Sequence, residues 1–252
     1  MLIDTHCHLD DYENIDKVIN NMKNHIIIVS GVSTATNINA IKLANKYTNI
    51  YATIGIHPEF ADDYTDEDIA FIEKNITNKK VVGIGEVGLD YHYTTNNKEK
   101  QKELFIKLIK IAKINNKTIV IHSRDAIEDT YNIIKQFHEQ KTKFVMHCYS
   151  SSLEIAKKLV KMNVKLGIGG VITFKNAKKL TEVVENIDIE HLILETDSPY
   201  LAPEPFRGTI NEPKNVYYVA KKISELKNMS VDDVIKITTA NAIAQFDLDI
   251  II

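Results

Sequence analysis

Short apolar runs alternate along the chain with longer stretches whose apolar residues recur every three to four positions. Eight runs stand out, at residues 2–5, 26–30, 51–56, 81–85, 118–121, 144–147, 164–168 and 192–195. A run such as Ile26-Ile27-Ile28-Val29 is apolar at every position, so a strand made from it buries both faces, as parallel strands do. The intervening stretches carry the helical period. Within 97–115, Leu104, Leu108, Ile111 and Ala112 fall on one face with lysines opposite. Similar patterns cover 15–24, 36–47, 66–75, 126–140, 153–161, 177–186 and 213–226, and one more helix is expected at 231–246. Eight strands, each followed by a helix, predict an α/β protein: a (β/α)8 barrel of the TIM type with an extra C-terminal helix. Periodicity does not prove closure, and a doubly wound open sheet is the alternative.

Composition narrows this picture. A barrel of this type runs to about 250 residues as one unit, so the 252 residues are expected to form a single domain, 1–252. With 44% hydrophobic residues, such a chain buries a sizeable core and needs no staples. Cys7 and Cys148 make no disulfide framework, which points to a reducing, cytoplasmic setting. Residues 1–6 lack the basic head and long apolar stretch of a secretion signal, and no run reaches the roughly 20 apolar residues of a membrane span. The net charge of −3 argues mildly against a protein that coats nucleic acid. A nucleic-acid substrate would be gripped through few phosphates.

The candidate chemistry lies where the apolar runs stop, the position at which barrel enzymes carry reactive groups. The first run ends in His6-Cys7-His8, the third in His57-Pro58, and the fourth in Gly85-Glu86. The fifth ends in His122-Ser123-Arg124-Asp125, the sixth in His147-Cys148 and the eighth in Glu195-Thr196-Asp197. Side chains two apart on a strand share a face, so both imidazoles of His6-X-His8 reach one ion. Imidazole mixed with carboxylate suits Zn, Mn, Ni or Fe better than an oxygen-only Mg site.

Other features are weaker. Gly83-Ile84-Gly85-Glu86-Val87-Gly88 has the dinucleotide-binding spacing, but a nine-residue stretch separates Gly88 from the next helix, and Glu86 would face the pyrophosphate. Cys7 points away from its flanking histidines, and alternation along the sixth strand assigns Cys148 to packing. His25, His138 and His191 are expected at the surface or at helix ends, whereas His92 belongs either to the site or to a loop. Tyr91, Tyr149 and Tyr200 either stack nucleobases or pack their own loops.

Several of these blocks together resemble the TatD-type deoxyribonucleases. They are Ile3-Asp4-Thr5-His6-Cys7-His8-Leu9-Asp10, Gly55-Ile56-His57-Pro58, Gly83 to Asp90, and Ile121-His122-Ser123-Arg124-Asp125-Ala126. The most specific block is Leu194-Glu195-Thr196-Asp197-Ser198-Pro199-Tyr200-Leu201-Ala202-Pro203, followed by Arg207-Gly208 and Asn211-Glu212-Pro213. The resemblance runs from residue 3 to about 246. It implies an amidohydrolase-like barrel with two divalent cations, Zn, Mn, Mg, Ni and Co not being distinguished. In that reading His6, His8 and Asp197 hold one cation, His122 and His147 the other, and Glu86 bridges them. Arg124 contacts phosphate and His57 has a substrate-side role. Glu59 departs from the pattern, where relatives often show a second histidine, as does the missing glycine after His147-Cys148.

The implied reaction is hydrolysis of a DNA phosphodiester by hydroxide, on single strands or at ends, with neither membrane nor obligate protein partner. Bound cations lower the pKa of a water to about 7 and neutralise charge on the phosphoryl group. Asp197 would also take or steer the proton of the attacking water. Arg124 would grip a phosphate oxygen, its alternative being a salt bridge with a nearby carboxylate. His57 would protonate the leaving oxygen or hold the phosphate. Glu195 reads best as a residue that orients its neighbours. The same cage acting on an ester or amide, such as an aminoacyl-tRNA ester, is the rival reading, and a non-catalytic metal binder is a second.

Overall fold

All eight apolar runs become strands, and each is followed by helix. The computed structural model describes residues 1–10, 12–138 and 142–250, and these divide into two units, 1–29 with 148–250, and 30–147. The element order is that of a (β/α)8 chain with one further helix.

The first unit contains β1 (Ile3–Cys7), α1 (Ile15–Asn20), β2 (Ile26–Ser30), α6 (Leu153–Lys161), β7 (Lys165–Ile168), α7 (Lys178–Asn186), β8 (Leu192–Leu194), α8 (Val216–Lys227) and α9 (Val231–Phe246). Strands β1 and β2 run parallel, as do β7 and β8. Thr5 Oγ1 donates to Leu194 O at 2.8 Å and Asp197 N to His6 O at 3.0 Å, joining β1 to the end of β8. Its core includes Ile27, Ile28, Leu166, Ile193, Val219 and Ile223, all fully buried. Helix α9 is tied to the start of β8 by Asn241, whose Nδ2 donates to Ile189 O and Leu192 O, both at 2.8 Å.

The second unit contains α2 (Thr34–Lys46), β3 (Ile50–Ile54), α3 (Asp66–Asn75), β4 (Val81–Asp90), α4 (Lys98–Ile114), β5 (Thr118–Arg124), α5 (Ile127–Phe137) and β6 (Phe144–Met146). Its four strands run parallel in chain order. Ile84, Ile119 and Ile121 of its strands are fully buried, as are Leu108 and Ile109 of α4, with Phe105 nearly so.

Helix starts follow local chemistry. Thr65 and Asp68 form a capping box before α3, with Thr65 N donating to Asp68 Oδ2 at 2.8 Å. Asp66, Glu67 and Asp68 place negative charge at the positive end of the helix dipole. Ser152 and Ser230 cap α6 and α9.

Several boundaries differ from the sequence expectation, three of them consequentially. Helix α1 stops at Asn20, and the expected helix at 213–226 starts as a separate turn, Pro213–Asn215, before α8. Residues 139–140 of the expected fifth helix lie outside the described residues. The third difference concerns the site. Strand β4 does not stop at Gly85-Glu86 but continues to Asp90, because Val87 to Asp90 pair onward with 121–124 of β5. Among the described residues no helix is long and apolar enough to cross a membrane.

Replacing Thr65 by Ala removes the side-chain half of its capping box. The expected cost is about 1 kcal/mol, read as a lower urea midpoint with unchanged slope.

Candidate metal centre

An irregularity in strand pairing marks each ligand set. Asp4 opposes Ile27 but Cys7 opposes Val29, so β1 carries one extra residue beside His6. Ile84 opposes Ile119 but Val87 opposes Ile121, so β4 carries one extra residue at Gly85-Glu86. Such bulges re-aim side chains that strict alternation would send elsewhere.

In the first unit His6, His8 and Asp197 come together. His6 Nε2 and His8 Nε2 stand 3.2 Å apart, and Asp197 Oδ1 lies 3.8 Å from the first and 3.5 Å from the second. Donors at about 2.0–2.1 Å from a tetrahedral ion stand roughly 3.4 Å from one another. The three donors therefore match the spacing a cation would impose, and their chemistry, two imidazoles and a carboxylate, fits a divalent ion. Cys7 turns the other way, its buried thiol lying 3.7 Å from Ile28 O.

Asp197 reaches this position through a turn held from several sides. Its backbone is left-handed, φ 54°, which Asp tolerates better than most residues. Asp197 N donates to His6 O, Tyr200 N donates to Asp197 O at 2.9 Å, and Ser198 N donates to Thr196 Oγ1 at 3.2 Å. Beneath the turn lies Asp4, fully buried. It accepts from Thr196 N at 2.9 Å and from Thr196 Oγ1 at 2.6 Å. Burial pushes the Asp4 carboxyl well above the usual range, and the Thr196 hydroxyl and His6 amide oppose that push only in part.

Glu195, also buried, accepts from Cys148 N at 2.6 Å and so holds the turn after β6. This is an orienting role. A Cβ at Gly167 would lie 2.3 Å from Glu195 Oε2, so only glycine leaves room for that carboxylate. Strand alternation does not reach Cys148. Strand β6 ends at Met146, and Cys148 is left-handed, φ 44°, and half-buried.

In the second unit Glu86 gathers three imidazoles. Glu86 Oε1 lies 2.7 Å from His122 Nδ1 and 3.8 Å from both His147 Nε2 and His57 Nε2. His122 Nε2 bonds Asp90 Oδ2 at 2.9 Å. The 3.8 Å separations leave room for a cation, whereas the 2.7 Å contact is a hydrogen bond with a proton where a cation would sit. Burial alone would lower the His122 pKa, but the bonds to Asp90 and Glu86 outweigh it and raise it to about 9. Asp90 is held below its usual range. Burial works against this, and the bonds from His122 and from the His92 amide prevail.

Asp90 has no assigned role in the sequence reading, which ended the strand at Glu86. Following β4 two residues past Gly88 would have found it. Gln101 of α4 fixes Asp90, accepting from its N–H at 2.8 Å and donating to its carbonyl at 2.9 Å. Gly88 has φ +143°, and a Cβ there would lie 2.0 Å from His122 O.

The substrate-side candidates divide. His57 Nδ1 lies 3.3 Å from Glu59 N and 3.6 Å from Glu59 Oε1, and its Nε2 faces Glu86. Arg124, at the end of β5, is exposed and bonds Tyr93 Oη at 3.2 Å; among the described residues it pairs with no carboxylate. Tyr91 and Tyr149 are tied down, the first by Asp129 at 2.8 Å and the second, nearly fully buried, by Ser152 O at 2.7 Å. Tyr200 is exposed, its ring 6.3 Å from that of His8. His92 bonds Asp125 in a loop. His25 accepts from Leu2 N, while His138 ends α5 and His191 ends a short turn.

The sequence profile described as TatD related DNase matches residues 3–247. The chain belongs to the TatD family. It is similar to the Bacillus subtilis protein described as uncharacterized metal-dependent hydrolase YabD, with 45% identity over 96% of this chain and 97% of that one. An uncharacterized metal-dependent hydrolase of Methanocaldococcus jannaschii, MJ1582, is 38% identical over 92% of this chain and 91% of its own. The crystal structure of the TatD homologue YJJV from Escherichia coli superposes with a TM-score of 0.89 at 27% identity, covering 98% of each chain. This TatD-family chain is thus a metal-dependent hydrolase with the (β/α)8 fold.

A cation held by His122 would compete with the proton on that ring. Its pKa is raised from 6.5 to about 9, so in the metal-free protein the Glu86–His122–Asp90 bonds contribute fully below pH 6.5, and that contribution fades as pH rises through 9. A metal ligand must be unprotonated, so loading with Zn or Mn at pH 7.5 should release protons and tighten toward pH 9. Calorimetry in buffers of differing ionisation enthalpy measures this; a buffer-independent heat would contradict it.

Proposed function

We propose that this TatD-family hydrolase cleaves phosphodiester bonds of DNA, using one divalent cation on His6, His8 and Asp197 and another on Glu86, His122 and His147. The observation that carries the choice of phosphorus over carbon is Arg124. It stands two residues beyond His122 on β5, exposed and unpaired with any carboxylate among the described residues. The reacting group of a carboxylic ester is neutral and offers a guanidinium no anion, whereas the reacting group of a phosphodiester carries one at neutral pH.

When bound, divalent cations supply Lewis acidity at the phosphoryl oxygen and an acidified water near neutral pH. The side chains do the rest. Arg124 holds a phosphate oxygen. Asp197 Oδ1 receives the proton of the attacking water, and His57 Nε2 gives one to the leaving oxygen. Cys7 and Cys148 stand as thiols rather than as a disulfide, which supports a cytoplasmic setting.

The purified protein, loaded with Mn, Mg or Zn, is to be incubated with labelled single-stranded DNA, duplex DNA and an aminoacyl-tRNA. Strand scission should disappear with chelator and fall at least about 100-fold in Asp197→Asn and Glu86→Ala, while Arg124→Ala should raise KM more than it lowers kcat. Release of the amino acid without scission of any strand would reverse the assignment.

A further inference from the structure

Tyr93 follows β4 with its ring 80% exposed, an unusual setting for a large aromatic side chain. It is nonetheless braced. The Arg124 guanidinium carbon lies 5.0 Å from the ring centroid and Arg124 Nη1 donates to Tyr93 Oη at 3.2 Å. The His92 ring stands nearly perpendicular to it, with centroids 4.9 Å apart. His92 is fixed in turn, with Nδ1 2.8 Å from Asp125 Oδ2 and its backbone N–H donating to Asp90 Oδ1 at 2.9 Å. The other Asp90 oxygen bonds His122. One carboxylate thus sets both the imidazole assigned to the cation and the loop that carries the aromatic ring.

We propose that Tyr93 is the nucleobase-stacking residue of this enzyme, taking the base adjacent to the phosphate that Arg124 grips. The inference rests on the phosphodiester reading above. A ring presented beside a phosphate-binding fork offers a stacking face to any of the bases, since each has a π-face, while the fork takes the charge of the same nucleotide. Neither Tyr91 nor Tyr149 is free to do this, because both are held within their loops.

The test uses the full-length protein and an oligonucleotide with 2-aminopurine at a single position, compared with the same strand lacking a base there. Binding is followed with chelator present, so the base-stacking signal does not depend on turnover. Wild type should quench 2-aminopurine, Tyr93→Phe should keep most of the quenching, and Tyr93→Leu should lose it. In metal-loaded turnover Tyr93→Leu should raise KM for the intact strand about 5- to 150-fold, the range one stacked base is worth. It should leave KM for the abasic strand near that of wild type. Equal quenching in wild type and Tyr93→Leu, or equal loss on both strands, overturns the role of Tyr93 while leaving the nuclease reading intact. Failure of wild type to cleave either strand overturns the phosphodiester reading itself.

Discussion

A carboxylate removed from water survives inside a protein only where hydrogen bonds or an opposite charge replace its hydration. This constraint organises both units. Asp4 is compensated by the amide and hydroxyl of Thr196, Glu195 by the amide of Cys148, and Glu86 and Asp90 by the imidazole of His122. Each partner belongs to a turn or strand end that carries a candidate ligand. Satisfying the buried charge therefore places the candidate metal-binding side chains, and removing any of these acids would release a candidate ligand as well as a bond.

The backbone departs from regularity at the same places. One extra residue in β1 and another in β4 turn His6 and Glu86 out of strict alternation. Left-handed residues at Asp197 and Cys148 bend the chain away from its strand directions. Such conformations cost free energy and persist only where surrounding bonds over-determine them. At Asp197 those bonds come from His6, Thr196 and Tyr200, so the geometry of the first ligand set rests on the turn rather than on the strand alone.

The two ligand sets differ in readiness. His6, His8 and Asp197 already have the mutual spacing of donors around an ion. Glu86 and His122 are closed on each other by a proton. Beyond them the substrate-facing residues are fewer than the tyrosine content of the loops promised, since packing claims Tyr91 and Tyr149.

By itself the sequence determined the order of the strands and helices seen among the described residues, because hydrophobic period is a local property written into each segment. The ends of α3, α6 and α9 were legible to the residue for the same reason. The residue types that cluster at strand ends were legible too, since polar groups interrupt apolar runs visibly. Tertiary structure alone decided how far β4 runs, because its last residues pair with β5, a partner about thirty residues away in the chain. That extension brought in Asp90, and pairing across 192 residues brought Asp4 under Thr196. It also decided which tyrosine stays exposed and where Cys148 points. Side-chain direction depends on register and on distant hydrogen bonds, and neither is encoded in the neighbours of a residue along the chain.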